Sequence, residues 1–351
     1  MPFALQDIIR AAEKNGASDI HLVYGLPPRC RIDGEITDMC EERLTSADCE
    51  NYAKEIVGKD YSDIENIGEW DGAKTYGNVR CRINVFRQQG SVSAAIRILH
   101  SHIPSLDELA LPKAVGTLPA LQSGIVLVTG VTGSGKSTTL AALLDTINHT
   151  KHAHIITLED PIEYVYKPDL CVINQREIGR DTKTYSDGLR AILREDPDVI
   201  LIGEMRDLDT IRTALTAAET GHLVFTTLHT GTAAEAIDRM VEVFPEGEQR
   251  QIRMQVSTTL QAVLSQKLLP KKTGGGRIAA CEIMIVTAAV RNLIREGKTP
   301  QIANVLATSA SVGSITLDNS IIKLYRERKI SKDTAQLAAR DKEYVKRNTG
   351  M

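Results

Sequence analysis

Apolar residues recur along this chain with two periods, and the change from one to the other divides it. Over residues 3–15, Phe3, Leu5, Ile8, Ile9 and Ala12 fall on one face of a 3.6-residue period and Gly16 follows, which predicts an amphipathic helix with a glycine stop. A second helix is predicted over residues 48–57. Period-two alternation marks residues 29–35, where Asp33-Gly34 signals a hairpin, and residues 76–86 and 93–99, which read as adjacent strands. Helices mixed with antiparallel hairpins predict a small α+β domain over residues 1–99. Pro104, Pro112, Gly116 and Pro119 then interrupt regular structure, so residues 100–116 read as a linker.

Beyond it the pattern changes. Residues 125–129, 155–158, 199–202 and 223–228 are short, continuous apolar runs rich in branched side chains, as expected of strands buried on both faces of a parallel sheet. Helical patterns at residues 138–148, 185–194, 209–219 and 233–243 alternate with them. Residues 117–351 therefore read as a wound, mostly parallel α/β domain, with ligands expected at the carboxyl ends of its strands. Residues 247–269 form a long amphipathic stretch, residues 271–276 an exposed loop and residues 277–286 a further strand. The helices that follow, to Arg347, read as a bundle on the core.

Composition narrows the class without choosing the chemistry. A length of 351 residues with 42% hydrophobic residues suffices for two or three cores. No run of about 18 apolar residues exists and the start is an amphipathic helix, so a cytoplasmic chain without membrane insertion is expected. The six cysteines form no C-x-x-C pair, which argues against a zinc ribbon or a redox dithiol. A net charge of −3 and 4% aromatic residues offer little to nucleic acid.

The chemistry is carried by Gly130-Val131-Thr132-Gly133-Ser134-Gly135-Lys136-Ser137, a phosphate-binding P-loop between an apolar strand and a helix that opens with Thr138. Its glycines permit the backbone to turn successive N–H groups, through Thr132, Ser134 and Thr138, toward an anion. Lys136 would reach the β- and γ-phosphates of ATP, and Ser137 would ligate Mg²⁺. The strand over residues 199–202 ends in Gly203-Glu204, a Walker B pattern that brings a carboxylate to the metal's water shell. Residues 155–158 deliver Glu159, Asp160 and Glu163, and Glu163 or Glu204 would polarise the attacking water. His222 and His229 flank the strand at residues 223–228, and His229 at its carboxyl end is placed to sense a γ-phosphate. Arg80, Arg82 and Arg97 lie on strands; they form either a solvated sheet face or guanidiniums that meet a phosphate as arginine fingers do.

GVTGSGKSTT, LEDPIEY, DPDVILIGEMRD and ETGHLVFTTLHT together resemble the four nucleotide motifs of the secretion-ATPase superfamily, the hexameric motors of type II and type IV secretion and type IV pili. SDIHL and GNVRCRINVFRQ are similar to its PAS-like amino-terminal domain, and residues 289–302, AVRNLIREGKTPQI, closely resemble a signature of its pilus-retraction ATPases. The paired cysteines and extra amino-terminal domain of the extension and type II secretion ATPases are absent.

The resemblance implies a RecA-like ATPase core behind a smaller PAS-like domain, hydrolysing ATP with Mg²⁺ as a homohexamer to power pilus retraction. Glu163 would be the catalytic glutamate, Glu204 the Walker B glutamate, and His222 and His229 the histidine box. Arg80 and Arg97 match arginine-finger positions, with Arg82 ranked below them, and Arg190 and Arg194 match positions near a subunit boundary. The implied partners are further copies of the chain, an inner-membrane platform protein and, through it, the pilin filament, at the inner face of the cytoplasmic membrane. An extension or accessory retraction ATPase, a RecA-like nucleic-acid translocase and a scaffold that uses ATP only to hold its ring are the alternatives. The helix at residues 289–296 is expected, on the resemblance, to couple turnover to retraction, and Arg291 and Arg295, four apart on one face, form either an ordinary solvated face or a site for an acidic partner.

Overall fold

The computed structural model describes residues 3–32, 34–99 and 102–350. The chain forms two compact units, one of Met1–His102 with Pro161–Val165 and one of Ile103–Asp160 with Tyr166–Met351.

The first unit is an α+β structure on an antiparallel six-stranded sheet. Its strands, β1 (Asp19–Leu22), β2 (Arg29–Ile32), β3 (Glu35–Asp38), β4 (Glu69–Tyr76), β5 (Val79–Gln88) and β6 (Ser91–Leu99), lie in the order β3-β2-β1-β6-β5-β4. The hairpin expected at residues 33 and 34 joins β2 to β3, with Ile32 opposite Glu35, while Asp33 lies outside the described residues. The helix Leu5–Lys14 buries the predicted stripe of Leu5, Ile8, Ile9 and Ala12 in the same core as Ile20, Tyr52, Ile83 and Ile96. A capping box starts the helix Ser46–Val57: the Thr45 hydroxyl accepts the Asp48 N–H at 3.2 Å and the Asp48 carboxylate accepts the Thr45 N–H at 3.0 Å. Along β5 the side chains of Val79, Cys81, Ile83 and Val85 are buried, so Arg80 and Arg82 share the opposite face. β4 escaped the sequence pattern because only Ala73 of its eight residues is buried.

The second unit carries a seven-stranded sheet in the order β13-β12-β7-β11-β10-β8-β9. These are β7 (Gly124–Thr129), β8 (His154–Glu159), β9 (Val172–Glu177), β10 (Val199–Ile202), β11 (Leu223–Leu228), β12 (Leu260–Pro270) and β13 (Arg277–Ile285). All neighbours are parallel except β12 and β13, which makes the sheet mostly parallel as expected. Every residue of β7, β10 and β11 is buried, the physical reason for their unbroken apolar runs.

Two stretches depart from the sequence reading. The amphipathic stretch at residues 247–269 is helical only over Glu246–Thr259; from Leu260 it is strand β12. Wedged between β7 and β13, β12 must bury both faces, and such a run has no period to distinguish it from a helix. The linker expected at residues 100–116, of which His100 and Ser101 lie outside the described residues, runs into a 3₁₀ helix, Lys113–Ala120, that buries Val115 and Leu118.

The six cysteines are free, five of them buried, and burial pushes the Cys81 and Cys281 thiols up to about 12, leaving both inert at neutral pH. No helix among the described residues is long and apolar enough to cross a membrane.

Candidate functional site

Parallel strands bring their carboxyl ends to one edge, and the P-loop leaves the interior strand β7 there. Gly130, Gly133 and Gly135 have φ of 142°, 77° and 90°. At Gly130 the backbone also leaves no room: a Cβ would stand 2.5 Å from the Gln266 carbonyl oxygen on β12 and 2.5 Å from Ser134 Oγ. Seven other helices of this unit open with a side chain that accepts an N–H of their first turn, from Thr184, Asp207, Thr232, Thr287, Thr316, Ser331 or Asp341. The helix Lys136–Asn148 opens instead on Gly135, with no side-chain cap, so its first amides face the loop. Lys136 folds back, its ammonium donating to the carbonyls of Gly130 at 2.9 Å and Val131 at 3.2 Å. Thr132, Gly133 and Ser137 are exposed at the loop's rim, and Thr138 is half-buried behind it.

One strand further across the sheet, beyond β11, β10 ends in Gly203-Glu204. Gly203 is required by contact, since a Cβ there would lie 2.9 Å from the Tyr185 hydroxyl and 3.2 Å from the Leu158 carbonyl. Glu204 accepts a hydrogen bond from Arg206 Nε at 2.7 Å and sits 3.3 Å from His229 Nε2. Burial, reinforced by Asp160 and by Glu159 and Glu204, raises the Tyr185 pKa, so its phenol stays neutral in spite of the opposing Arg206 charge. Glu159 is engaged internally, accepting the Thr157 hydroxyl at 2.6 Å and the Gln175 amide at 3.2 Å.

The two histidines part company. His229 follows β11 at the carboxyl end, whereas His222 precedes it, beside Gly124 at the amino end of β7. Along the strand that separates them by about 20 Å within one chain. His222 Nδ1 lies 2.8 Å from the Ala217 carbonyl and 3.1 Å from the Thr220 hydroxyl, finishing the helix Leu208–Glu219.

In the first unit Arg82 and Arg97 are direct cross-strand partners, with Arg80 two residues away on the same face. Like charges so placed repel; Arg82 is paired to Asp71 at 2.8 Å and Arg97 to Asp19 at 2.9 Å. Partial burial pushes the Asp19 carboxyl up, but the Ser18 hydroxyl and the Arg97 guanidinium outweigh it and hold its pKa below the usual value. Arg80 Nε donates to the Ile162 carbonyl at 3.4 Å, on the acidic segment that carries the half-buried Glu163. Arg190 and Arg194 are exposed at the end of the helix Tyr185–Ile192.

Arg291 is not free for an acidic partner. It donates to the carbonyls of Ser257 at 2.7 Å and Thr258 at 2.9 Å and to the Gln261 amide oxygen at 3.1 Å, closing the end of the helix Glu246–Thr259. Arg295 on the same helix, Ala288–Arg295, is exposed, while Val290 and Ile294 are buried.

Around the P-loop the donor and acceptor inventory fits a polyphosphate. Ser134 Oγ, in the loop itself, is buried without a hydrogen-bond partner, a hydroxyl able to donate to a phosphate oxygen. A cleft of about 590 Å³ opens beside Gly135, Thr138 and Leu268, with Lys271, Arg277 and Lys329 on its wall. No cluster of three or more His, Cys, Asp or Glu side chains able to hold a metal occurs among the described residues.

Comparison with known proteins identifies relatives along nearly the whole chain. The family described as type II/IV secretion system protein matches residues 73–342. The chain is 47% identical over 96% of its length to the type IV pilus retraction ATPase PilT of Pseudomonas aeruginosa, 98% of which is covered. It is 42% identical over 97% of its length to a twitching motility protein of Neisseria gonorrhoeae, 92% of which is covered. The crystal structure of the pilus retraction motor PilT with bound ADP superposes with a TM-score of 0.92 at 47% identity, covering 98% of this chain and 99% of that one. The chain thus belongs to the type II/IV secretion system family of ATPases.

Proposed function

We propose that this chain is the subunit of a homohexameric motor that hydrolyses ATP to drive type IV pilus retraction, docking on an inner-membrane platform protein and acting through it on the pilin filament. The observation that carries the reading is the uncapped P-loop helix beside the Glu204–His229 pair, in a chain that follows a retraction ATPase almost end to end.

The triphosphate lies along the loop amides, with Lys136 leaving its backbone carbonyls for the β- and γ-phosphates. Ser137, with Glu204 nearby, would hold Mg²⁺, which would supply positive charge to stabilise the negative charge of the phosphates. Water attacks the γ-phosphorus in line while the bond to the β–γ bridging oxygen breaks, ADP departs with that oxygen, and the water's proton passes to Glu163 or Glu204. Arg80 and Arg97 supply positive charge to the phosphates of a neighbouring subunit, which ties cleavage to movement between subunits.

Phosphate release by the purified hexamer tests the enzyme, and deletion of the gene tests the direction of work. Cells that keep their pili but cease to retract them bear the reading out. Bald cells mean an assembly motor.

A further inference from the structure

The loop that carries His229 is gripped from a part of the chain more than a hundred residues away. It runs from the end of β11 to Thr232, whose hydroxyl accepts the Glu235 N–H at 3.0 Å and opens the helix Ala233–Glu242. The next amide, of Ala233, donates at 2.9 Å to the carboxylate of Glu282, a buried residue of β13. The other oxygen of Glu282 accepts from Arg340, whose second terminal nitrogen donates to the Gly231 carbonyl. Arg340 is fixed in turn: its N–H and that of Asp341 donate to the two oxygens of Asp318, at 2.8 and 3.0 Å, in the first turn of the helix Leu317–Arg326. One guanidinium fork thus spans a buried carboxylate and a loop carbonyl two residues from the histidine that meets Glu204.

We infer that Arg340 is a positioning residue for the nucleotide site, holding the His229 loop in register with Glu204 through Gly231 and Glu282. The inference rests on the proposed ATPase function and adds to it a role for the carboxyl-terminal helices. A pair between a buried carboxylate and a solvent-exposed guanidinium is weak evidence of net stabilisation, so a fork that reaches past its carboxylate to a loop carbonyl calls for another reason.

The geometry separates positioning from mere cohesion. A lysine offers a point charge in place of the fork; it neutralises Glu282 and leaves the Gly231 carbonyl unheld. The test measures phosphate release, binding of a fluorescent ADP analogue and melting temperature for the wild-type hexamer, Arg340→Lys and Glu282→Gln. The glutamine keeps the acceptor for Ala233 and the volume but not the charge. Positioning requires both variants to keep wild-type nucleotide affinity within about twofold while kcat falls between about 10- and 100-fold, with kcat not following the melting temperature.

Full kcat in either folded variant overturns the inference, and so does an Arg340→Lys variant whose kcat returns together with its melting temperature. If one variant does not fold, the other decides on the same criteria. Should neither fold, the pair is a cohesive element and the inference is overturned. A wild-type hexamer that releases no phosphate overturns the ATPase reading itself, which keeps the two failures distinct.

Discussion

Replacing Arg97 by alanine separates an ion pair from an arginine finger by the size of the effect. In the folded chain Arg97 pairs with Asp19 at 2.9 Å, the arginine side chain being 65% exposed. A pair so open to solvent contributes no more than about 1 kcal/mol, so Arg97→Ala should lower the melting temperature of a unit of roughly a hundred residues by less than about 8 °C. An arginine that meets the transferred phosphoryl group contributes about 10³–10⁵ in kcat, or about 4–7 kcal/mol. Loss of the pair alone cannot produce a rate effect of that size.

Phosphate release by the assembled protein, beside a thermal melt, reads both quantities. Arg82→Ala is the internal control, since Arg82 lies directly opposite and loses a comparable pair to Asp71. Arg97→Ala should lose at least about a thousandfold in kcat and Arg82→Ala less than about tenfold. Full hydrolysis by Arg97→Ala would refute the finger.

The pH dependence of stability checks the pair independently. Because the Asp19 pKa is depressed in the folded chain, its contribution is present above the ordinary carboxylate range and is lost as pH falls through the folded value. The small stability gap between wild type and Arg97→Ala should therefore close in acid.

Gly130→Ala forces a φ of 142° on a residue with a side chain and sets its Cβ 2.5 Å from the Gln266 carbonyl. It should cost about 1–3 kcal/mol of backbone strain and abolish binding of a fluorescent ADP analogue; a variant that binds normally contradicts the cradle described for the loop. Saturating ADP, at about a hundred times its dissociation constant, should stabilise the wild type by about 2.7 kcal/mol in a thermal shift experiment, and Lys136→Ala should lose both most of that gain and all turnover. Arg291→Ala removes a charged donor to three oxygens. It should cost about 1.5–3 kcal/mol in a denaturant titration, and an unchanged midpoint would show that those oxygens find water instead.

Much of this architecture could be read from residue order because burial leaves a periodic trace. The stripe on Leu5–Lys14 and the alternation of β5 were visible for that reason, and so were the solid apolar runs of β7, β10 and β11. The trace fails at edges and centres alike. β9 exposes Val172 and Asn174 and only half-buries Ile173, so no strand pattern marks it, while β12 is buried continuously through its middle and merged with the helix before it. The P-loop, Glu204 and His229 were legible as local motifs next to strand ends. The Glu282–Arg340 pair was not, because 58 residues separate its members and neither sits in a motif. His222 and His229 flank β11 as the sequence places them, one at each end of a buried strand.

The signature helix Ala288–Arg295 is fastened where a mechanical load would matter. Arg291 clasps the end of the helix Glu246–Thr259 at the point where the chain turns into β12, and β12 lies against the strand from which the P-loop springs. A tug on that helix must drag this junction along or tear hydrogen bonds from a charged donor, at about 1.5–3 kcal/mol each. Stiffness, more than reach, is what such a fastening lends to a machine that pulls.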